Sequence, residues 1–197
     1  FGFLTWVNGT LIAFFQKTFD LNHFNSYLVT FAYYLSYTIM AIPSSMFLRK
    51  VGFKNGMSIG MLIMGLGCGL FIPAAKLASY PVFLVGLFTT GIGLTLLQTA
   101  VNPYVTLMGP HESAAKRISF MGFSNKIGGI IGQVILGSIL LHGATTIVQR
   151  DELDKIIFPY MIITVIFVLL SVMLKKNDWF PEIKEEQEEK AEQAGIE

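Results

Sequence analysis

Long apolar segments, each near the length needed to cross a membrane, constrain the fold of this chain more than any other feature. Hydrophobic residues make up 53% of the 197 residues and charged residues only 14%, which is well outside the composition of a soluble domain. A helix needs about 20 mostly apolar residues to cross the hydrocarbon core. The candidate spans are Phe1–Phe15, Phe24–Leu48, Gly56–Ala75, Pro81–Met108, Ile118–Leu141 and Ile156–Leu174. They predict an all-α membrane protein, a six-transmembrane-helix bundle whose short connections make neighbouring helices antiparallel.

The ends of the predicted domain differ in character. The first span begins at residue 1 without an initiator Met and with nothing before it, so we expect it to be truncated and the chain to be a fragment. After Trp179 the sequence becomes acidic and nearly devoid of large apolar residues, so it cannot bury a face. We therefore predict a six-helix bundle over residues 1–178 and an acidic, solvated linker over residues 179–197.

Lysine and arginine residues concentrate in the loops at one end of the predicted bundle. That end carries Arg49, Lys50, Lys54, Lys116, Arg117, Lys175 and Lys176. The opposite end carries Lys17, Lys76, Arg150 and Lys155, the last two accompanied by acidic residues. Because positively charged short loops are retained in the cytoplasm, we expect the first set to be cytoplasmic, together with the start of the first span and the linker.

One charged residue stands apart from the loops. All 13 acidic residues lie in predicted loops or in the tail, and Lys126 is the only basic residue deep within a span. A lysine at mid-helix costs about 2.5–3.5 kcal/mol to insert, so such a group is by default a candidate functional residue. Lys126 is eight residues from the cytoplasmic end of its span, roughly 12 Å along a helix, which is a strained distance for snorkelling to the interface.

Polar or side-chain-free positions recur at helical spacing around this lysine. The fifth span carries Gly122, Lys126, Gly129 and Gln133 on one stripe, with Asn125 beside it. The fourth span carries Gly91, Thr95, Gln98 and Asn102, followed by Pro103. The first span carries Thr5, Trp6, Asn8, Gly9 and Thr10. Each group alone could hydrogen-bond between helices, but amides on three helices around one charge predict a water-filled cavity, with helix four broken at Pro103.

The predicted cavity has the chemistry to bind a neutral, polyhydroxylated solute. Amides both donate and accept hydrogen bonds, as vicinal hydroxyls require, and the indole of Trp6 can stack on a sugar ring. The substrate-binding candidates are Trp6, Asn8, Gln98, Asn102, Asn125, Lys126 and Gln133. We expect no cofactor, metal or nucleic-acid partner and no enzymatic activity, because no acid, base or nucleophile set faces the interior.

Two segments resemble a known family of transporters. "LLQTAVNPYVTLMGPHESAAKRISFMGFSNKIGGIIG" resembles the segment of the fucose:proton symporter family, of the glucose/galactose transporter type within the major facilitator superfamily, that reads roughly L-E-T-A-A-N-P-Y-V, G-P-E-E-S-A-x-R-R and F-N-S-x-G-A-I. "WVNGTLIAFFQKTF" resembles its first helix, N-D-x-L-I-P-x-F. The resemblance implies a bacterial inner-membrane sugar transporter with twelve helices in two halves. Substrate would bind between the halves and be moved by alternating access. This chain would be the N-terminal half plus the start of the central linker, and a C-terminal six-helix half would be its partner.

The chain departs from the family at the residues that handle the proton. The family's membrane carboxylates, an Asp on helix one and a Glu on helix four, are matched by Gly9 and Gln98, while Lys126 replaces a small polar residue. Three mechanisms follow. Lys126 itself exchanges the proton, or it acts as a fixed cation that leaves facilitated diffusion, or Na⁺ binds among Asn8, Gln98, Asn102 and freed carbonyls, against the repulsion of the ammonium.

Two other functions remain open from the sequence. Lys126 would also suit a porter for an anionic solute such as a sugar acid, because an ammonium pairs with a carboxylate. Alternatively, the polar stripes hold helices together in a membrane sensor or scaffold that transports nothing.

Overall fold

The structure, a computed structural model, describes residues 2, 3, 5, 6, 19, 22–141 and 151–177. Residues 2, 3, 5 and 6 are helical and are labelled α1. The other helices are α2 His23–Val51, α3 Phe53–Lys76, α4 Tyr80–Leu107, α5 Ala114–Leu141 and α6 Asp151–Lys176, and a 3₁₀ turn, His111–Ser113, joins α4 to α5. These ranges contain no strand, and the all-α prediction is confirmed. The linker predicted over residues 179–197 lies outside the described residues.

Most helices extend beyond the apolar spans that predicted them. Three helical segments in the described ranges are long and apolar enough to cross a membrane, namely Phe53–Lys76, Tyr80–Leu107 and Ile157–Lys176. Helices α2 and α5 are as long, at 29 and 28 residues, but they interleave tyrosine, serine, asparagine and glycine among their apolar residues. The largest difference is at α6, which begins at Asp151, so the expectation that residues 151–155 form a loop was wrong. Charged residues are good helix formers, and hydropathy alone marks only the apolar part of such a helix.

Helices α3 and α4 form the centre of the bundle. Helix α3 packs along α4 and along α6, while α4 also contacts α2 and α5. The side chains of Met64 from α3 and of Phe83 and Leu94 from α4 are fully buried. An aromatic cluster joins α3, α4 and α6. The ring centroid of Phe71 on α3 lies 5.7 Å from that of Phe83 on α4 and 4.7 Å from that of Tyr160 on α6, the latter pair packing edge to face. Helices α3, α4 and α6 therefore form a packed core.

Glycine lets α3 and α4 approach each other closely. A Cβ atom at Gly93 would lie 2.6 Å from the carbonyl oxygen of Gly60 and 2.6 Å from the amide nitrogen of Met64. Both are backbone atoms, so they cannot move aside as a flexible side chain would. In a lipid environment, burial of apolar surface gives little driving force for helix association. Helices associate instead largely through close packing at small residues.

Arg117 ties α5 to the carboxyl end of α4. Its guanidinium donates hydrogen bonds to the carbonyl oxygens of Val105 (2.9 Å), Thr106 (2.7 Å), Gly109 (3.3 Å) and Pro110 (3.1 Å), and to the hydroxyl of Ser113. The last carbonyls of a helix have no intrahelical partner, and an arginine near them also compensates the negative end of the helix dipole. The predicted basic end is therefore also where the turn between α4 and α5 is fixed.

We predict that Gly93→Ala destabilises the protein by about 1–3 kcal/mol, because its Cβ would force apart the backbones of α3 and α4. Gly69→Ala is the matched control, since a Cβ there makes only ordinary contact, 3.6 Å from Cγ2 of Thr164. Thermal unfolding of the purified protein in detergent measures both. Equal unfolding temperatures for the two variants would contradict the close approach at Gly93.

We also predict that Arg117→Lys lowers stability by about 1–2 kcal/mol, because one ammonium cannot reproduce the forked set of hydrogen bonds. The exposed neighbour Lys116 provides the control, and Lys116→Gln should change stability by less than about 0.5 kcal/mol. The same unfolding measurement applies. If Arg117→Lys behaves like Lys116→Gln, the guanidinium does not fix the turn.

Candidate functional site

The ammonium of Lys126 lies over the indole of Trp6, and this pair joins α5 to α1. The distance from Nζ to the ring centroid is 5.1 Å, within the range of about 6 Å for a cation–π contact. Trp6 is 37% exposed, and Lys126 is exposed as well. The positive charge is thus not packed dry among aliphatic side chains, and α1 is within its reach.

Glycines on α5 make room for the aromatic side chains of α1. A Cβ at Gly129 would lie 2.6 Å from Cδ1 of Trp6, and one at Gly132 would lie 2.7 Å from Cδ2 of Phe3. The stripe predicted on this helix lies at the edge of the contact, because Gly129 is buried while Gly122, Lys126 and Gln133 are exposed. The expected close approach of helices therefore occurs at Gly129, whereas Gly122 has nothing within 4 Å of its ideal Cβ position.

Asn125 lies on the buried side of Lys126. Its backbone carbonyl and its Oδ1 atom both press against Gly2 of α1, where no Cβ would fit. Oδ1 is buried and has no hydrogen-bond partner among the described residues. Buried polar atoms almost always find a partner, so this oxygen could accept a hydrogen bond from a donor outside the described residues.

A group of tyrosines on α2 faces the other side of α1. Thr5, which precedes Trp6, lies near the hydroxyls of Tyr33 and Tyr37, and the rings of these two tyrosines are 5.7 Å apart. Tyr33 is 1% exposed. These tyrosines are not among the site residues predicted from the sequence. Tyr33, Tyr34 and Tyr37 lie within one apolar span, and aromatic rings with polar tips in such a span are the signal that could have identified them.

Half of the stripe predicted on α4 serves helix packing. A Cβ at Gly91 would meet the Oγ of Ser36 and would lie 2.9 Å from the carbonyl oxygen of Tyr33 on α2. Thr95 is buried, and its hydroxyl donates to the Gly91 carbonyl at 2.8 Å. Gly91 therefore lies at a close approach between helices, as small residues on such a stripe allow. Gly91 has no side chain and the Thr95 hydroxyl bonds within its own helix, so α2 can approach α4 here.

The carboxyl-terminal half of α4 keeps its two amides closer to the surface. Gln98 is half-buried and Asn102 is exposed. The predicted break at Pro103 was wrong, because α4 continues through it to Leu107. Proline removes only its own N–H, the one that would reach the Thr99 carbonyl, and the flanking hydrogen bonds carry the helix past it.

The predicted site residues are thus only partly assembled by this chain. The structure joins Trp6 to Lys126 and brings Asn125 against α1, while Gln133 is exposed on α5 about 10 Å farther along the helix. Gln98 and Asn102 are on α4. Asn8 and Gly9 lie outside the described residues, so the contribution of an amide from the first helix stays a prediction. Together the described groups offer a cation, an indole and amides, a set that can hydrogen-bond and stack on a polyhydroxylated molecule.

Known proteins with similar sequences are sugar transporters by name. The chain is 34% identical over 172 residues to a glucose/galactose transporter of Brucella abortus, covering 87% of this chain and 42% of that protein. It is 35% identical over 206 residues to the L-fucose-proton symporter of Escherichia coli, covering 96% of this chain and 47% of the symporter. The chain therefore spans about half the length of the curated relatives it matches.

The fold of the chain is also similar to that of a solved transporter structure. The fold is similar to FucP, a transporter crystallised in the outward conformation, with a TM-score of 0.73 and 32% identity, over 92% of this chain and 49% of that one. The sequence model of the Major Facilitator Superfamily matches residues 1–196. This chain belongs to the Major Facilitator Superfamily.

Proposed function

We propose that the full-length protein is a secondary transporter for a monosaccharide such as fucose, glucose or galactose. It works by alternating access, and this chain supplies one six-helix half. The observation that carries the proposal is the exposed Lys126–Trp6 pair next to the unpartnered Oδ1 of Asn125. A charge in that position is costly in lipid and is accommodated if it faces a hydrated cavity. The names of the relatives support sugar as the solute.

In the proposed site each group has a distinct task. The ammonium of Lys126 donates a hydrogen bond to a sugar hydroxyl, and the neighbouring amide of Asn125 adds a second polar contact. The exposed part of Trp6 stacks on the apolar face of the ring. Further hydrogen bonds along the walls of the proposed site come from the amides of Asn8, Gln98, Asn102 and Gln133. The other half of the transporter closes the site, which explains why most of these side chains are exposed in this half.

We further propose that Lys126 is the group that couples transport to protons. The relatives include a proton symporter, but the positions of the family's two carboxylates hold Gly9 and Gln98, which do not titrate. Among the charged side chains of the sequence, Lys126 alone lies deep in a predicted span, and an amine can exchange a proton. A Na⁺ ion among the amides is the less favourable alternative, because the ammonium would repel it.

We propose a bacterial inner-membrane location with the basic end of the bundle in the cytoplasm. Arg49, Lys50 and Lys54 at the α2–α3 junction and Lys175 and Lys176 at the end of α6 support this orientation. The start of the chain and the linker after residue 178 would then also be cytoplasmic.

The coupling test uses uptake by the full-length protein in vesicles with imposed proton or Na⁺ gradients. We predict that Lys126→Arg abolishes proton-driven accumulation of sugar but retains equilibration down a sugar gradient, because arginine keeps the charge and does not deprotonate. Lys126→Ala should also lose accumulation. The control Lys76→Arg, an exposed lysine at the opposite end of the bundle, should accumulate sugar as the parent does.

Other outcomes would identify the other mechanisms. Accumulation by Lys126→Arg at the parent level would mean that the lysine is a fixed cation and does not carry the coupling proton. Accumulation that follows the Na⁺ gradient in the parent would favour a sodium site. Absence of saturable uptake in the parent would contradict transport altogether and would leave a sensor or scaffold.

The substrate class is tested by competition against labelled sugar. We predict that a neutral hexose inhibits uptake at least about tenfold more strongly than its uronate, because the oxygens of Asn125 and of the other amides accept hydrogen bonds from hydroxyls, which a carboxylate cannot donate. Stronger inhibition by the uronate, lost in Lys126→Ala but kept in Lys76→Ala, would instead identify a porter for sugar acids.

A further inference from the structure

A largely apolar cavity with a basic rim lies away from the proposed sugar site, at the basic end of the bundle. It has a volume of about 590 Å³ and lies between the end of α2, the start of α3 and the end of α6. Its polar walls include Lys50, Asn55 and Lys175, and its apolar walls include Ile59, Leu62 and Val172. Nothing in the proposed transport mechanism uses these residues.

Two serines that bind each other also line the cavity. Ser58 of α3 donates to the carbonyl of Ser171 on α6 at 2.9 Å, and Ser171 donates to the carbonyl of Ser58 at 2.8 Å, with their Oγ atoms 3.0 Å apart. Both serines are buried. This reciprocal pair fixes α3 against α6 and uses the serine hydroxyls, so the ammonium groups of Lys50 and Lys175 are the groups best able to attract a ligand.

An exposed apolar track leads from this cavity towards the middle of the helices. On α3 it continues through Leu62 and Leu66, which are 41% and 59% exposed, and on α6 through Val172, Leu169 and Val165, which are 55%, 62% and 52% exposed. Both rows run away from the lysines, because α3 begins at this end of the bundle and α6 ends there. A ligand that fits has an anionic head and a long apolar tail.

We propose that this cavity binds an anionic phospholipid of the leaflet at the basic end of the bundle. Its phosphate lies between the ammonium groups of Lys50 and Lys175, and one acyl chain follows the track along α3 and α6. Basic pockets between membrane helices on the cytoplasmic side suit such headgroups. Because Lys50 belongs to α2 and Lys175 to α6, the lipid joins two helices that pack mainly on α4 and on α3, respectively.

The test measures lipid binding to the delipidated full-length protein in detergent by native mass spectrometry. We expect one molecule of phosphatidylglycerol to bind at least about tenfold more tightly than phosphatidylcholine, and Lys50→Gln/Lys175→Gln to remove most of that preference. The control Lys54→Gln/Lys176→Gln removes the same charge at the same end from residues that do not line the cavity, and it should change the affinity less than about twofold.

A second pair of variants tests the tail without changing charge. Val172→Trp fills the apolar part of the cavity and should weaken phosphatidylglycerol binding several-fold, whereas Met173→Trp, on an exposed neighbour outside the cavity, should not. Unfolding temperatures in lipid-free detergent identify any variant that fails to fold.

Three results would overturn the proposal. Equal losses from the two lysine pairs would mean that only the general surface charge attracts lipid. Displacement of phosphatidylglycerol by millimolar inorganic phosphate would identify a site for a free anion. Equal binding of phosphatidylcholine would mean that the cavity does not recognise charge.

Discussion

Close contact between helices at glycine is the constraint on which the rest of this structure depends. In lipid, apolar side chains gain little by packing together, so helices associate where their backbones can approach. Gly93 meets Gly60 at the α3–α4 contact, Gly91 meets Ser36 at the α2–α4 contact, and Gly129 meets Trp6 at the α1–α5 contact. The first two contacts build the bundle. The third contact differs, because Trp6, which packs against Gly129, also contacts the ammonium of Lys126. This is the only charge deep in a predicted span.

The Lys126–Trp6 pair shows how the bundle accommodates a charge that has no acidic partner among the described residues. An ammonium over an indole gains about 0.5–2 kcal/mol, which is less than the cost of inserting a lysine at mid-helix. The contact with Trp6 therefore cannot by itself explain the position of Lys126. In the proposed transporter, water in the substrate pathway would hydrate the exposed side chain and supply the rest.

The sequence predicted the helices well and their facing surfaces less well. The apolar spans located α3 and α4 to within about one turn, because composition changes sharply at their ends. The same reasoning missed the start of α6 at Asp151, where a helix continues into charged sequence. The predicted α5 stripe includes Gly129 but not Gly132, and both glycines contact α1, because the contact depends on the positions of Trp6 and Phe3. Tyr33 and Tyr37 were overlooked because tyrosine counts as apolar in a composition argument, although their hydroxyls lie near Thr5 of α1.

A lysine in place of two carboxylates reverses the change of charge that accompanies protonation in the proposed cycle. A carboxylate that takes up a proton becomes neutral, whereas an amine that takes up a proton becomes charged. In its charged form Lys126 is a hydrogen-bond donor only, and in its neutral form it also accepts. The protonated state therefore complements sugar oxygens, and it is also the form stabilised over Trp6. In the proposed transporter, the charged lysine and the sugar would therefore favour each other at the same site. Gly9 and Gln98, at the positions proposed to match the family's carboxylates, do not supply a charge there.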